Sequence, residues 1–374
     1  MTLDNVVTGT LALPGDRAVH TFTLAEPRLV HFDSLTPNTA LRWQIDGPMG
    51  TVAGGNIAQA DADSRSDSTV IALAPGTWRV SVWGTGRATG DYGFVLRDLA
   101  SAETLEPGTV VEATHTPGNT TRLFSFEGRA GDRYFLDHLG GTLAGRWRIV
   151  DRFGQLVGAG YRSAQSDWSG IALAIDGTHT LIVEGRIGDG DGPRTHSFRI
   201  VPVTDTVAPM TLGERTTGAL TAPGQLARLS FTLAARTLVS IEAQDAADGS
   251  FSWSLTGPRG GEGSRSFTSS DSRDASEPAV LALPAGDYLL TVDAAGDVTG
   301  PYGIAVLDLA DAAPITLGTQ VSGQLAPGSE TIAYRFDGTA GERFFFDARN
   351  SAVFQSGWRL IDPFGRQALG PVTA

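Results

Sequence analysis

The sequence predicts an all-β chain: tandem antiparallel β-sandwich domains in A-B-A-B order, with the last one truncated. Three observations lead there. A phrase built on a tryptophan recurs at Trp43, Trp147, Trp253 and Trp358, in steps of 104, 106 and 105 residues. That period is the size of one sandwich domain and far longer than a solenoid repeat. Between glycine turns the residues alternate two by two, as with Trp78, Val80 and Val82 against Arg79, Ser81 and Trp83, which is the pattern of a half-buried strand. Composition agrees: 47 Gly and 19 Pro in 374 residues, with 41% hydrophobic and 18% charged, make a turn-rich globular chain.

Domain A1 spans 1–100. Pro14-Gly15-Asp16 turns the chain into the strand His20-Thr21-Phe22-Thr23-Leu24, and Leu29-Val30-His31-Phe32 leads on to the Trp43 phrase. A hairpin follows, from the Trp78 strand through Gly84-Thr85-Gly86 to Tyr92-Gly93-Phe94. Domain B1, 101–205, places Gly131-Asp132-Arg133-Tyr134-Phe135 before its tryptophan phrase and Gly177-Thr178-His179-Thr180-Leu181 after it. Domain A2, 206–312, repeats A1: Pro223-Gly224 matches Pro14-Gly15, and Tyr302-Gly303 with Asp308-Leu309-Ala310 matches Tyr92-Gly93 with Asp98-Leu99-Ala100. Domain B2, 313–374, repeats B1 through Ala340-Gly341-Glu342-Arg343-Phe344-Phe345-Phe346-Asp347, and carries no counterpart of the strands that follow the tryptophan phrase elsewhere. The expectation is that it is completed by further residues of a longer protein, because open sheet edges invite aggregation. Short linkers such as Ser101-Ala102-Glu103-Thr104-Leu105 predict semi-rigid joints.

Charge and missing residue types exclude much chemistry. A net charge of −13 argues against a nucleic-acid surface, which needs clustered cations to neutralise phosphates. The chain has no cysteine, and all 28 of its basic residues are arginine. Thiol nucleophiles, disulfides, lysine Schiff bases and a P-loop lysine are therefore excluded. Neither a signal peptide nor an apolar run long enough for a membrane helix is read from the sequence.

Domain A2 carries a motif series: Ser230-Phe231-Thr232-Leu233, a mid-domain strand ending in Gly257-Pro258-Arg259-Gly260, then Pro284-Ala285-Gly286-Asp287-Tyr288-Leu289-Leu290-Thr291-Val292 and Thr299-Gly300-Pro301-Tyr302-Gly303-Ile304-Ala305-Val306. In that order these resemble the bacterial pre-peptidase C-terminal domain, a β-sandwich of jelly-roll type found in secreted hydrolases and large surface proteins. The resemblance covers A1, B1 and A2 and half of B2. It implies a secreted or cell-surface location and a non-catalytic role: stalk, spacer or adhesin-like region of a large exported protein. The alternative it implies is an accessory region of a secreted peptidase or other hydrolase. Partners would then be an extracellular protein or carbohydrate, besides neighbouring domains of the same chain.

Some relatives of that family bind calcium, and acidic loops offer candidate ligands here. Asp61, Asp63 and Asp67 in A1, and Asp271 with Asp274 at the matching place in A2, could supply carboxylates to an oxygen-rich site. The EF-hand template fails, because position six counted from Asp61 is Ser66 and position twelve is Ala72, and a solvated loop is the competing reading. Asp189 and Asp191 in Gly188-Asp189-Gly190-Asp191-Gly192 are read either as ligands or as hairpin-turn residues. Trp83, on the strand face opposite Trp78, and Trp168, in the Asp167 loop, are the candidate ligand-contact aromatics. The four recurrent tryptophans read as core instead. The six histidines lack metal spacing, and His179, standing where A1 and A2 have Trp78 and Tyr288, reads as a packing residue. No nucleophile elbow or His-Glu-x-x-His occurs, so no catalysis is expected.

Overall fold

The computed structural model describes residues 1–60, 69–158, 160–190, 192–246, 249–270, 280–347 and 357–373. Two compact units divide the chain, Met1–Val203 and Thr204–Ala374. In the first, A1 contributes β1 (Val7–Leu11), β2 (Arg17–Leu24), β3 (Arg28–Ser34), β4 (Leu41–Gly47), β5 (Gly50–Asn56), β6 (Val70–Leu73), β7 (Gly76–Gly84) and β8 (Gly90–Asp98). They form two antiparallel sheets in the orders β1-β8-β3-β6 and β2-β7-β4-β5. Eight strands shared in this way between two sheets make a jelly roll. Alternation decides which side chains go inside. On β4, Leu41, Trp43 and Ile45 are buried while Arg42 and Gln44 are half-buried. Each large apolar side chain so placed contributes about 1.5–3 kcal/mol.

B1 follows with β9 (Glu103–Thr104), β10 (Val111–His115), β11 (Thr121–Gly128), β12 (Arg133–Gly141), β13 (Arg146–Val150), β14 (Arg162–Ser163), β15 (Trp168–Ala172), β16 (Gly177–Glu184) and β17 (Arg194–Val203). Its sheets, β10-β17-β12-β15 and β14-β13-β16-β11-β9, repeat the A1 order with one addition: β9, a linker strand, lies parallel to β11. In the second unit A2 has the same two orders, and its linker strand Thr206–Pro209 lies parallel to Ala227–Leu233. Ala313–Pro314 does the same against Tyr334–Arg335. All three linkers close the same backbone bond beyond the strand, Leu105 N to Ser125 O at 2.7 Å, Met210 N to Ser230 O at 2.9 Å and Ile315 N to Arg335 O at 2.9 Å. The joints are thus paired strands, each part of the sheet that follows it.

Register shows how closely the domains repeat. Phe22 faces Trp78, Phe126 faces His179 and Phe231 faces Tyr288. His179 is buried and stacks on Phe126 at 5.7 Å, so it fills the aromatic place, as its alignment with Trp78 requires. Trp43, Trp147 and Trp253 face Val82, Val183 and Val292, and all three indoles are buried. In B2 the described strands besides the linker pair are Gly357–Ile361 and Gln367–Thr373, joined antiparallel. Trp358 is half-buried there. Phe345 is 89% exposed, whereas its B1 counterpart Phe135 is 0% exposed.

Candidate functional site

Of the acidic residues offered as calcium ligands, Asp61, Asp63, Asp67, Asp191, Asp271 and Asp274 lie outside the described residues. Asp189 ends a short 3₁₀ turn, Ile187–Asp189, and its backbone carbonyl accepts from Arg194. Among the described residues no three His, Cys, Asp or Glu side chains are grouped so as to hold a metal ion. The two aromatic candidates part company. Trp83 lies half-buried on β7 under the guanidinium of Arg17, its cross-strand neighbour, at 4.8 Å. Trp168 is not a loop residue: it opens β15, is buried in the B1 core and is covered by Arg162 at 5.6 Å. β15 does not alternate regularly: Ser169 and Gly170, the latter at φ +72°, lie exposed between buried Trp168 and Ile171, and the buried ring of Trp168 is thereby removed from ligand contact; neighbouring Asp167 instead caps the backbone N–H of His138 at 2.9 Å.

Sequence reasoning missed a polar seam between A1 and B1. Asp33 on β3 accepts from the backbone N–H of Thr121 on β11 at 3.0 Å and pairs with Arg97 at 3.4 Å. Beside it, Glu184 on β16 takes Arg148 of β13 at 2.5 Å and lies 3.6 Å from His31 Nε2, while His31 Nδ1 meets the Thr69 hydroxyl at 2.9 Å. His31, Asp33, Arg148 and Glu184 are each at most 1% exposed. Burial pushes the Asp33 carboxyl above its ordinary value against the pull of Arg97. Burial pushes Glu184 the same way, but His31 and Arg148 together outweigh it and hold that carboxylate low. Charges so enclosed cannot meet a substrate; they hold one domain against the other. Around them Leu29, Val70, Leu99, Leu123, Val150, Leu156 and Ile182 form a small apolar cluster.

The turn after the B-type tryptophan strand completes the seam. Asp151 Oδ1 accepts from the N–H groups of Phe153 and Gln155 at 2.8 and 2.9 Å, and Asp362 Oδ1 accepts from Phe364 and Arg366 at 2.9 Å each. The closed turn presents a glycine to the A domain. A Cβ on Gly154 would come within 2.8 Å of Val70, and one on Gly365 within 2.9 Å of Leu238, the residue that corresponds to Leu29; both glycines have positive φ, +77° and +86°. A-type domains carry Gly-Pro-x-Gly at this place and make a hairpin. The Asp-x-Phe-Gly difference was the one signal in the sequence that could have found the seam.

B1 also gathers histidines that are far apart in sequence. His138 and His196 stack at 5.7 Å, and His196 lies 5.1 Å from the Trp147 ring. His115 Nε2, His138 Nδ1 and His196 Nδ1 are enclosed without a hydrogen-bond partner. Burial first, then the nearby His115 and His138, bring His196 down to about 3, and burial lowers His115 as well. His196 is therefore neutral in the folded protein at ordinary pH.

No family model and no curated protein matches the chain. Among solved structures, the CUB1-EGF-CUB2 domain of human MASP-1/3 is similar at 10% identity and a TM-score of 0.17, covering 52% of this chain and 99% of its own. The CUB1-EGF-CUB2 domains of rat MASP-1 match at 8% and 0.16, covering 52% and 97%. The Sulfolobus Turreted Icosahedral Virus structure matches at 9% and 0.16, covering 80% and 83%. Scores this low carry no argument about fold or function. No helix among the described residues is long and apolar enough to cross a membrane.

Proposed function

We propose that the chain is a non-catalytic spacer region of a large exported protein, built from two-domain modules that hold their partners at fixed separation. The observation that carries this is the seam's recurrence. Thr121 N donates to Asp33 in the first unit and Thr331 N donates to Glu242 at 2.9 Å in the second, and the same Asp-x-Phe-Gly turn seats beside each. Domain-to-domain bonds repeated in both modules, with linkers paired into sheets, serve rigidity rather than chemistry. The resemblance to pre-peptidase C-terminal domains supports the exported setting. Because the chain has no cysteine, Leu13→Cys and Leu139→Cys, at exposed positions of A1 and B1, can carry a unique pair of spin labels. A single narrow distance distribution in the full chain is expected. A broad distribution at neutral pH sinks the spacer reading, as does peptide or glycan hydrolysis by the purified chain that one Ser, Asp or His substitution abolishes.

A further inference from the structure

The two seams use the same pair of latches with their arm lengths exchanged. One latch reaches from the A domain to B backbone: Asp33 to Thr121 N at 3.0 Å, and Glu242 to Thr331 N at 2.9 Å. The other reaches back from B to A backbone: Asn119 Nδ2 to Leu35 O at 3.4 Å, and Ser329 Oγ to Gln244 O. Strand register makes the positions equivalent, since Val30 and Asp33 face Asp98 and Val95 as Val239 and Glu242 face Asp308 and Ala305. The B-side residues follow the same Pro-Gly pair, Pro117-Gly118 or Pro327-Gly328. Glutamate is one methylene longer than aspartate, and a serine hydroxyl is one atom shorter than an asparagine amide. Where the A arm is short the B arm is long, and the reverse.

The surroundings diverge as well. His31 and Arg97 of the first seam correspond to Ser240 and Leu307 in the second, by the same register. Arg97 pairs with Asp33 at 3.4 Å; Leu307 instead lines a cleft of about 60 Å³ with Arg215, Gln244, Pro327 and Glu330. Tandem domains this alike are prone to pair with the wrong neighbour during folding. Discrimination between near-identical partners needs elements that fit one and clash with the other.

We propose that Asp33 with Asn119, and Glu242 with Ser329, are matched specificity determinants that key each A domain to its own B domain. The proposal rests on the spacer reading and deepens it by naming what selects the domain pairs. It is tested in the full chain carrying labels at positions 13 and 139. Asp33→Glu and Asn119→Ser are each expected to raise the population with a displaced distance at least about fivefold, since one arm then no longer matches the other. The double variant, which recreates the second seam's arms, is expected to return within about twofold of the parent. If the two effects multiply in the double variant, or if neither single change moves the distribution, the matched-pair proposal is overturned. Glu242→Asp and Ser329→Asn, read with labels at positions 207 and 317, give the mirror test should the first set fail to fold. A parent chain that is itself broad overturns the spacer reading; a narrow parent with multiplying effects overturns the pairing proposal alone.

Discussion

Gly154 is a small residue with a large positional demand. Its φ of +77° and the 2.8 Å approach a Cβ would make to Val70 are separate obstacles to any side chain. Gly154→Ala is expected to lower the stability of the first unit by about 1–3 kcal/mol, from backbone strain and crowding together. Gly15 is the control: its φ is +92° but nothing lies within 4 Å, so Gly15→Ala should cost about 1 kcal/mol. Urea midpoints of the two variants make the comparison. Glu184→Gln is the harsher residue-scale change, since it takes from buried Arg148 the carboxylate at 2.5 Å. Removing one partner of an enclosed ion pair typically costs about 3–5 kcal/mol, and a loss under 1 kcal/mol in the same assay would contradict the description of the seam.

At the scale of strands, the tryptophan phrase does the same work in three domains. Trp43→Ala should cost about 3–5 kcal/mol, because the indole is buried and stacked on Phe32 at 3.7 Å. Trp358→Ala, at a half-buried position, should cost less than half of that in the same denaturation series. The histidines on β10 and β17 give B1 a pH dependence whose sign follows from burial. With His196 lowered to about 3, the unfolded chain binds the extra proton below about pH 6.5, so stability falls as the pH drops from there towards 3. The slope is about 1.4 kcal/mol per pH unit for one such histidine. Asp33, with its carboxyl raised, acts in the opposite sense: its contribution is full at low pH and lost as the pH rises through its folded value. The histidine share is therefore read as the difference in urea midpoint between pH 7 and pH 4.5 for the parent and for His196→Asn, which should flatten it. Strand positions and the buried indoles were legible in the sequence because alternation is a local signal. Trp168 was misplaced because a five-residue strand following a glycine- and serine-rich stretch shows too little alternation to be distinguished from loop. His115, His138 and His196 were unreadable as a group because pairing of β10 and β12 with β17 brings them together across 81 residues.

For the whole molecule, the matches of A1 with A2 and of B1 with B2 are read from sequence, and the structure shows the A1 and A2 regions with the same sheet orders, one in each of two compact units. What joins the members of a module was not legible in the sequence. The latches run from side chain to backbone, and a backbone N–H or carbonyl leaves no trace in residue type. Asp33 and Glu242 each read as an ordinary acidic residue among 41. If the modules hold as described, heating should show A1 and B1 lost in one transition, checked by comparing calorimetric and van't Hoff enthalpies for the full chain and for Glu184→Gln. Separation of that transition into two in the variant is the expected outcome.

The linker strands bear on how a pull along the backbone would enter a domain. A pull applied along the backbone arrives at B1 through Glu103–Thr104, which lies alongside Phe124 and Ser125 in parallel. Tension along such a pair would load its rungs together rather than peel them one at a time, so the linker and the strand beside it would give way as a unit.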